Sequence, residues 1–434
     1  MSQRTRPLIL CVVLALLLAA CAPVVQPITT PTPPQASSTP GSTSTSGPTA
    51  EQPLYVNILW HQHQPFYPKD ANGVYTRPWA RVHATKDYYD MAATVAKYPN
   101  VHVTFNLTPV LIRQLDDLAS GAKDTYWVLA EKPAAQLSED DKRFILQRFF
   151  DANPANIIAR YPRYQELLDK RAGSDDAAIT AALQSFSEQD FRDLQVWFNL
   201  AWFDPDALAQ PPLKALVDKG SGFSEADKAV VFDQARAIIQ QVIPLHKQLQ
   251  DAGQIEVITS PYAHPILPLL YDTKLAAVGN PSAELPNRFS YPNDVTAQLE
   301  KGVQIYEDSF GQAPRGLWPS EGAVAQEIVP LVAKAGYQWM ASGEQVLGQS
   351  LGITEFTRDA NEVVQQADVL YRPYYATGPN GERVAVFFRD GRLSDLIGFE
   401  YSKWQGEAAA QDLIKRLEAI RGELTKEGAT GPHV

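Results

Sequence analysis

The chain has 434 residues with 45% hydrophobic side chains, which suffices for two or three small domains or for one large α/β barrel with insertions. It carries 38 Lys and Arg against 49 Asp and Glu, a formal net charge of -11. Because the acidic residues are spread along the chain and phosphate contacts need clustered Lys and Arg, this balance argues against a nucleic-acid partner.

The N-terminus has the pattern of a bacterial export signal. Arg4 and Arg6 precede an uncharged apolar run over 8–20, which is too short for a membrane-spanning helix and suits the core of a signal peptide. The run ends in Leu-Ala-Ala-Cys at Cys21, which resembles a bacterial lipobox. We therefore predict a signal peptide over 1–20 and a lipid on Cys21 that anchors the protein to a membrane, at the cell surface or in the periplasm. The alternative is an ordinary signal peptide that happens to contain Cys.

A tether follows the signal. Residues 22–50 contain no charged side chain and consist mainly of Pro, Thr and Ser, so they cannot bury enough apolar surface to offset the entropy of ordering. We predict a disordered linker over 22–52 and a globular domain over 53–434. If Cys11 leaves with the signal and Cys21 carries lipid, no Cys remains for a disulfide, and core burial must hold the domain.

Short apolar runs and helical patterns alternate along the globular part. Strands are predicted at 55–60, 101–105, 255–258, 316–318, 337–340 and 384–388. Helices are predicted at 88–96, 294–310, 408–424 and from Ser224 to Gly253, the last with a capping-box-like start. The alternation predicts βα units around a parallel sheet, and its single-file order favours a barrel over a doubly wound sheet. The stretch 107–253 has few strand signals and is predicted to be a helical insertion.

Histidines mark the ends of two predicted strands. His61 and His63 end the first strand at period-two spacing, which places both imidazoles on one side. They could bind a metal, hydrogen-bond a substrate or a catalytic carboxylate, or stack in a polar core. Tyr262 and His264 follow the third strand in a Pro-rich loop that could line a pocket or could be a plain connection.

Carboxylates follow two other predicted strands. Glu321 comes just after the strand at 316–318, and Asp390 directly follows the strand at 384–388, with Asp395 five residues later. Barrel chemistry lies at the carboxyl ends of strands. Two carboxylates there can flank a glycosidic bond, one attacking and one donating a proton. Each acid alone could equally be a solvated loop residue.

Together these motifs resemble a known family. The stretches 61–65, 253–269, 317–322 and 389–399 resemble four of the five conserved regions of glycoside hydrolase family 57, which contains α-amylases, amylopullulanases and 4-α-glucanotransferases. Supporting stretches are 77–91, 105–109 and 199–205. The resemblance runs from about Leu54 to the end of the chain.

The resemblance implies a (β/α)7-type barrel, an α-glucan substrate, net retention at the anomeric carbon and no catalytic metal or other cofactor. The family's nucleophile falls on Glu321. Its acid/base falls on Asp390, with Asp395 as the competing assignment. The expected substrate-binding residues are His61, His63, Tyr262, His264, Trp318 and Asp395.

The family's fifth region has no counterpart before the chain stops at Val434. We therefore expect a C-terminally incomplete chain, with barrel closure and activity in doubt. Two other functions remain open: a non-catalytic glucan-binding lipoprotein, and a zinc-dependent barrel hydrolase. The zinc site would use His61, His63, His264 and Asp390. The linkage cut, hydrolysis versus transfer, and the oligomeric state do not follow from the sequence.

Overall fold

A computed structural model of the chain describes residues 53–434. The predicted signal peptide, the lipidation site at Cys21 and the linker over 22–52 lie outside the described residues. Between residues 53 and 434, no helix combines the length and hydropathy needed to cross a bilayer.

Two sheets form the centre of the described region. The strands are β1 (Leu59–Gln62), β2 (Val103–Leu107), β3 (Ile255–Ile258), β4 (Gly316–Leu317), β5 (Trp339–Gly343), β6 (Tyr374–Thr377) and β7 (Arg383–Arg389). β1, β2 and β3 pair in parallel, as do β4, β5 and β7. A parallel bridge between Thr259 and Leu317 joins β3 to β4. The carboxyl ends of these six strands therefore point to the same side.

The six predicted strands are confirmed, with small shifts at their ends. The first begins at Leu59 instead of residue 55. The prediction missed β6, which pairs antiparallel with β7. The sheets are thus parallel except at this one edge.

Helices fill the region between β2 and β3 and confirm the predicted insertion. The helices up to β3 are α1 (Trp79–Ala84), α2 (Asp87–Ala96), α3 (Pro109–Ala119), α4 (Thr125–Glu131), α5 (Glu139–Arg148), α6 (Pro162–Arg171), α7 (Asp176–Ser185), α8 (Glu188–Leu200), α9 (Pro205–Leu208), α10 (Leu213–Lys219) and α11 (Glu225–Asp251). The predicted capping box is present, because Ser224 Oγ accepts the Asp227 N–H while the Asp227 carboxylate accepts the Ser224 N–H. It satisfies two of the free donors at the start of α11.

The remaining helices follow β3 and separate the later strands. They are α12 (Leu267–Tyr271), α13 (Ala276–Gly279), α14 (Pro292–Phe310), α15 (Val329–Lys334), α16 (Glu344–Leu351), α17 (Ala367–Leu370), α18 (Gly391–Asp395) and α19 (Gly406–Lys426). The end of α14 is set by Gly311, whose φ of 74° lies in the left-handed region. Glycine adopts this conformation without a steric cost.

Three apolar clusters hold these elements together. The largest joins β2 and β3 to the insertion helices and includes the fully buried Phe105 and Trp197. The second packs β4, β5 and β7 against α14 and α15, with Leu317 and Val332 in its centre. The third lies between α16, α17 and α19. Helices that precede β3 and helices that follow it therefore both pack against the sheets.

The last described residues lie beside the first. His433 forms a parallel bridge with Leu54, and its carbonyl accepts the Tyr55 N–H at 2.9 Å. The Val434 N–H donates to the Tyr371 carbonyl at 2.8 Å. Residues 433 and 434 therefore run next to the segment that leads into β1.

Candidate active site

Glu321 stands in the turn that follows β4. Its backbone φ and ψ of 57° and 20° lie in the left-handed region, which is uncommon for a residue other than Gly and often marks a functional position. The side chain is exposed, and within residues 53–434 no group hydrogen-bonds to its carboxylate. The carboxylate predicted as nucleophile is therefore not committed to a structural contact.

A cavity of about 500 Å³ lies at this end of the strands. It brings together Glu321 and Asp390, the two carboxylates predicted to act as a pair, with His61 and Trp318. Much of the remaining lining is apolar and includes Trp60, Trp339, Phe387, Phe388 and Ile397. A mainly apolar cleft with a few polar groups is the usual form of a small-molecule site.

A second cavity, of about 660 Å³, lies near the amino ends of the strands and is lined by residues such as Asn57, Thr104, Glu256 and Arg315. It contains none of the predicted site residues. We place the candidate site in the smaller cavity because strand-end carboxylates and imidazoles meet there.

The turn around Glu321 is fixed through its backbone. The Gly322 N–H donates to the Pro319 carbonyl at 2.9 Å, and the hydroxyl of Ser342, a buried residue of β5, donates to the Gly322 carbonyl at 2.7 Å. Gly322 itself has a φ of 67°. Ser342 therefore connects the unusual backbone at Glu321 to a neighbouring strand.

If the site catalyses the reaction predicted from the sequence, replacing Ser342 by Ala is expected to lower kcat about ten- to a hundredfold with little change in KM, because small displacements of a reacting group are costly. The free energy of unfolding should fall by only about 1 kcal/mol, the usual contribution of one hydrogen bond. Steady-state kinetics and urea unfolding would measure both. Ser350→Ala is the matched control, since Ser350 donates a 2.7 Å bond to a backbone carbonyl on exposed α16. Equal kcat values for Ser342→Ala and wild type would contradict the positioning role.

Three imidazoles stack beside the cavity. The ring centroids of His61 and His63 are 5.7 Å apart, those of His61 and His264 5.1 Å, and those of His63 and His264 4.3 Å. The Trp318 indole stacks on His61 at 5.4 Å. The structure therefore brings together four of the six predicted substrate-binding residues.

Buried polar residues at the carboxyl ends of β2 and β3 hold two of these rings. Asn106 hydrogen-bonds to His61 and exchanges hydrogen bonds of 2.9 and 3.1 Å with the Ser260 hydroxyl. His63 Nδ1 lies 3.3 Å from the Thr108 hydroxyl. His264 is held by its backbone, with a φ of 58° and an N–H that donates to the Pro261 carbonyl. These partners restrict how each ring can turn.

The surroundings keep the imidazoles uncharged. Desolvation in the cavity wall, with smaller contributions from the nearby His264 and His63, lowers the pKa of His61 to about 3, against the opposing hydrogen bond from Asn106. Desolvation also lowers the pKa of His264 to about 4. The pKa of His63 falls for the same reason, although Glu321 opposes the shift. Neutral imidazoles can both donate and accept hydrogen bonds, as sugar hydroxyls require.

The lowered pKa values predict a loss of stability in acid. Below pH 6.5 the unfolded chain binds protons at His61 and His264, whereas the folded protein does not bind them until about pH 4 or lower. The free energy of unfolding therefore falls as the pH falls through this window. A His61→Gln/His264→Gln variant should show a shallower fall in urea unfolding between pH 6.5 and 4. The two proteins should have parallel profiles between pH 7 and 8.5, where both residues are neutral. Identical acid slopes would contradict the prediction.

Asp390 lies at the end of β7 as predicted, but its carboxylate accepts hydrogen bonds from three other residues. Oδ2 accepts hydrogen bonds from the Tyr371 hydroxyl at 2.6 Å and from Arg358 at 3.1 Å, and Oδ1 accepts the Leu393 N–H at the start of α18 at 2.9 Å. Arg358 also pairs with Glu344 at 2.6 Å. These contacts are those of a side chain that holds local structure. The acid/base role of Asp390 stays a prediction.

Two other predicted residues stand away from the cavity lining. Asp395, the competing acid/base, is exposed at the end of α18 and does not line the cavity. Tyr262 does not line it either; its hydroxyl hydrogen-bonds to Arg113, and the Lys301 ammonium lies 4.0 Å from its ring centroid. Their predicted roles in substrate binding have no support from this arrangement and stay predictions.

The imidazoles do not form a metal site of the kind that the zinc alternative needs. Their ring planes lie within 17° to 30° of one another, so the rings stack instead of pointing their nitrogens at one centre. In the described part of the chain, the His and carboxylate atoms close enough to share a cation belong to Asp90, Asp204 and Asp206. That partly exposed group lies on α2 and at the start of α9, outside the cavity.

Comparison with known proteins identifies the family. Residues 57–430 match the family described as "Glycosyl hydrolase family 57". The chain belongs to this family. The match extends over nearly all of the described region, including both strand-end carboxylates and the three imidazoles.

Two curated relatives and several solved structures are similar to parts of the chain. The 1,4-alpha-glucan branching enzyme TK1436 of Thermococcus kodakarensis is 37% identical over 214 residues, which make up 44% of this chain and 27% of that protein. Alpha-amylase 1 of Dictyoglomus thermophilum is 26% identical over 153 residues, 35% and 17% of the two chains. The matches thus extend over less than a third of either relative.

Two solved structures are similar to a larger share of the chain. The alpha-amylase AmyC of Thermotoga maritima is 16% identical with a TM-score of 0.40, over 78% of this chain and 46% of that chain. The crystal structure of TK1436 is 19% identical with a TM-score of 0.41, over 80% and 49%. The chain therefore spans less than half the length of these solved relatives.

Proposed function

We propose that this protein is a retaining glycoside hydrolase that acts on α-glucans, with Glu321 as its nucleophile. The observation that carries the proposal is the state of Glu321, an unpartnered carboxylate on left-handed backbone at a strand end. It lines a cavity with His61 and Trp318 in a chain of glycosyl hydrolase family 57. The names of the curated relatives, an alpha-amylase and a 1,4-alpha-glucan branching enzyme, support an α-glucan as substrate.

The reaction would proceed by double displacement. Glu321 attacks the anomeric carbon while an acid protonates the leaving glycosidic oxygen, which gives a covalent glycosyl-enzyme and a shortened glucan. The same acid, now a base, takes a proton from the water that releases the sugar. We retain Asp390 as this acid/base because it lines the cavity with Glu321 and Asp395 does not.

We also propose that the parallel strands belong to a (β/α)7-type barrel. The order β1-β2-β3, the bridge from Thr259 to Leu317 and the order β4-β5-β7 place six parallel strands in one series. The parallel bridge between His433 and Leu54 sets a further extended segment beside the approach to β1. This arrangement is the one that a closing barrel needs.

Product analysis tests the proposed activity. The full-length protein would be incubated with starch, pullulan and maltooligosaccharides, and the products followed by chromatography and by proton NMR of the anomeric signals. New reducing ends released first as the α-anomer would support retention. Products with new branch points would show transfer to a glucan hydroxyl, as the name of the branching-enzyme relative suggests. Binding without turnover would favour the glucan-binding lipoprotein instead.

We propose that the protein is exported and anchored by a lipid on Cys21. Replacing Cys21 by Ser is expected to move the protein from the membrane fraction to the soluble fraction of the producing bacterium, because the acyl chains would be lost. Metabolic labelling with a tagged fatty acid and fractionation would measure this. The globular domain should keep its melting temperature. A variant that still fractionates with membranes would contradict lipid anchoring.

A further inference from the structure

A loop over residues 272–291 exposes large apolar side chains. It connects α12 to α14 and carries four of the fifteen large apolar side chains that are exposed in the described chain. Their exposed fractions are Val278 75%, Leu285 38%, Phe289 44% and Tyr291 52%. Such a concentration on one loop is unusual for a surface that only meets water.

The loop is closed at its base by fixed contacts. Asp272 accepts hydrogen bonds from Arg288 at 2.6 and 3.2 Å, and the Thr273 N–H donates to the Phe289 carbonyl at 2.9 Å. The Tyr291 N–H donates to the Leu270 carbonyl of α12 at 2.9 Å. These contacts hold the two aromatic residues in place, so little side-chain and loop entropy would be lost when a ligand binds.

The two aromatic rings lie together. The centroids of Phe289 and Tyr291 are 4.5 Å apart, with an angle of 49° between the ring planes. We call these two side chains the aromatic pair. Both present roughly half of their surface to solvent, and together they offer adjoining ring faces.

The base of the loop lies next to the segment that carries the proposed nucleophile. α12 begins three residues after His264, and its Leu267 belongs to the same buried cluster as Ile328. Val324, three residues after Glu321, packs against that cluster too. The loop therefore rises from the strand-end side of the sheet, where the cavity lies.

The charge of the loop fits a neutral ligand. From 276 to 287 its only charged side chain is Glu284, while Asn280, Ser282 and Asn287 add uncharged polar groups. Arg288 is already paired with Asp272. Over the whole loop Lys274 and Arg288 are balanced by Asp272 and Glu284, so a polyanion would find no excess of positive charge, whereas the apolar faces of glucose rings can stack on aromatic rings.

We propose that the aromatic pair binds an α-glucan chain outside the cavity, as a subsite for the part of the polymer that is not being cut. This inference rests on the proposed function, because the chain reaching the pair must be the one engaged at Glu321. The proposal predicts that the aromatic pair strengthens the binding of long glucans and has no effect on the binding of short ones.

The test compares substrates of different length. A Phe289→Ala/Tyr291→Ala variant of the full-length protein should show a kcat/KM for amylose about tenfold below wild type, mainly through KM, with kcat/KM for maltotriose unchanged. The single variant Tyr291→Phe keeps both aromatic rings. It should therefore retain most of the wild-type kcat/KM for amylose, unlike the double Ala variant. Circular dichroism and thermal melting would establish that each variant is folded.

Matched controls decide the outcome. Tyr98→Ala removes an equally exposed Tyr (58%) that precedes β2, near the opposite ends of the strands, and should change neither substrate. An unchanged KM for amylose in the double variant, or an equal loss on amylose and maltotriose, would overturn the subsite. Retardation of the proteins in amylose-containing native gels tests the pair without turnover. If wild type cuts no glucan but is retarded through the aromatic pair, the proposed activity fails while this binding site stands.

Discussion

Replacing Glu321 by Gln is expected to reduce turnover of α-glucans by about four orders of magnitude or more, as removal of a nucleophile does in other enzymes. The amide has nearly the same shape as the carboxylate but cannot form the glycosyl ester. Because no described group hydrogen-bonds to the Glu321 carboxylate, the exchange should leave the fold unchanged. Maltooligosaccharide binding, measured by calorimetry, should stay close to that of wild type.

Glu327→Gln is the matched control for this variant. Glu327 is also exposed and lies six residues later in the chain, and its loss should change kcat less than twofold. Substantial turnover by Glu321→Gln would move the nucleophile role to another carboxylate. Glu344, just past β5, would be tested first, although its contacts with Arg358 and the Gly391 N–H are those of a structural residue.

Asp390→Asn is expected to lower kcat on starch by about a hundred- to ten-thousandfold if Asp390 is the acid/base, the usual contribution of general acid–base catalysis. It should also lower the free energy of unfolding by about 1.5 to 3 kcal/mol, the contribution of a hydrogen bond to a charged group, because Arg358 loses Asp390 and keeps Glu344. Asp395→Asn, on an exposed residue, should change neither quantity more than severalfold. Kinetics and denaturant unfolding would be measured for both variants.

A substrate with a good leaving group distinguishes a catalytic role of Asp390 from a structural one. An aryl maltoside needs little protonation on departure, so Asp390→Asn should lose far less activity on the aryl substrate than on starch if Asp390 is the acid. Tyr371→Phe removes the 2.6 Å hydrogen bond to Asp390 but leaves the Asp390 carboxylate in place. It therefore shows how much activity is lost when only the local structure is loosened. Equal losses on both substrates would assign Asp390 a structural role. A leaving-group effect in Asp395→Asn would transfer the acid/base role to Asp395.

Local patterns in the sequence predicted six of the seven described strands and four residues of the cavity lining, His61, Trp318, Glu321 and Asp390. Period-two spacing placed His61 and His63 on one side of the first strand, and the ring stacking in the structure confirms this. The run before Glu321 placed that residue at a strand end. These predictions succeed because alternation and strand ends are properties of neighbouring residues, which the sequence shows directly.

Features that depend on distant contacts were not predictable in this way. Arg358 and Tyr371 reach Asp390 from loops 32 and 19 residues away, and no local pattern marks either residue as its partner. Tyr262 similarly turns to Arg113, 149 residues earlier in the chain. β6 was missed because its antiparallel pairing with β7 is a tertiary property that no local pattern marks.

The left-handed backbone at Glu321 means that the residue favoured for stability of the fold differs from the residue required for the proposed catalysis. A residue with a Cβ is disfavoured at a φ of 57°, while Gly is not. Glu321→Gly is therefore expected to melt at a higher temperature than the natural protein while losing its proposed chemistry. A screen that selects only for heat resistance would enrich inactive chains at this position. Only a requirement for activity would keep Glu at position 321.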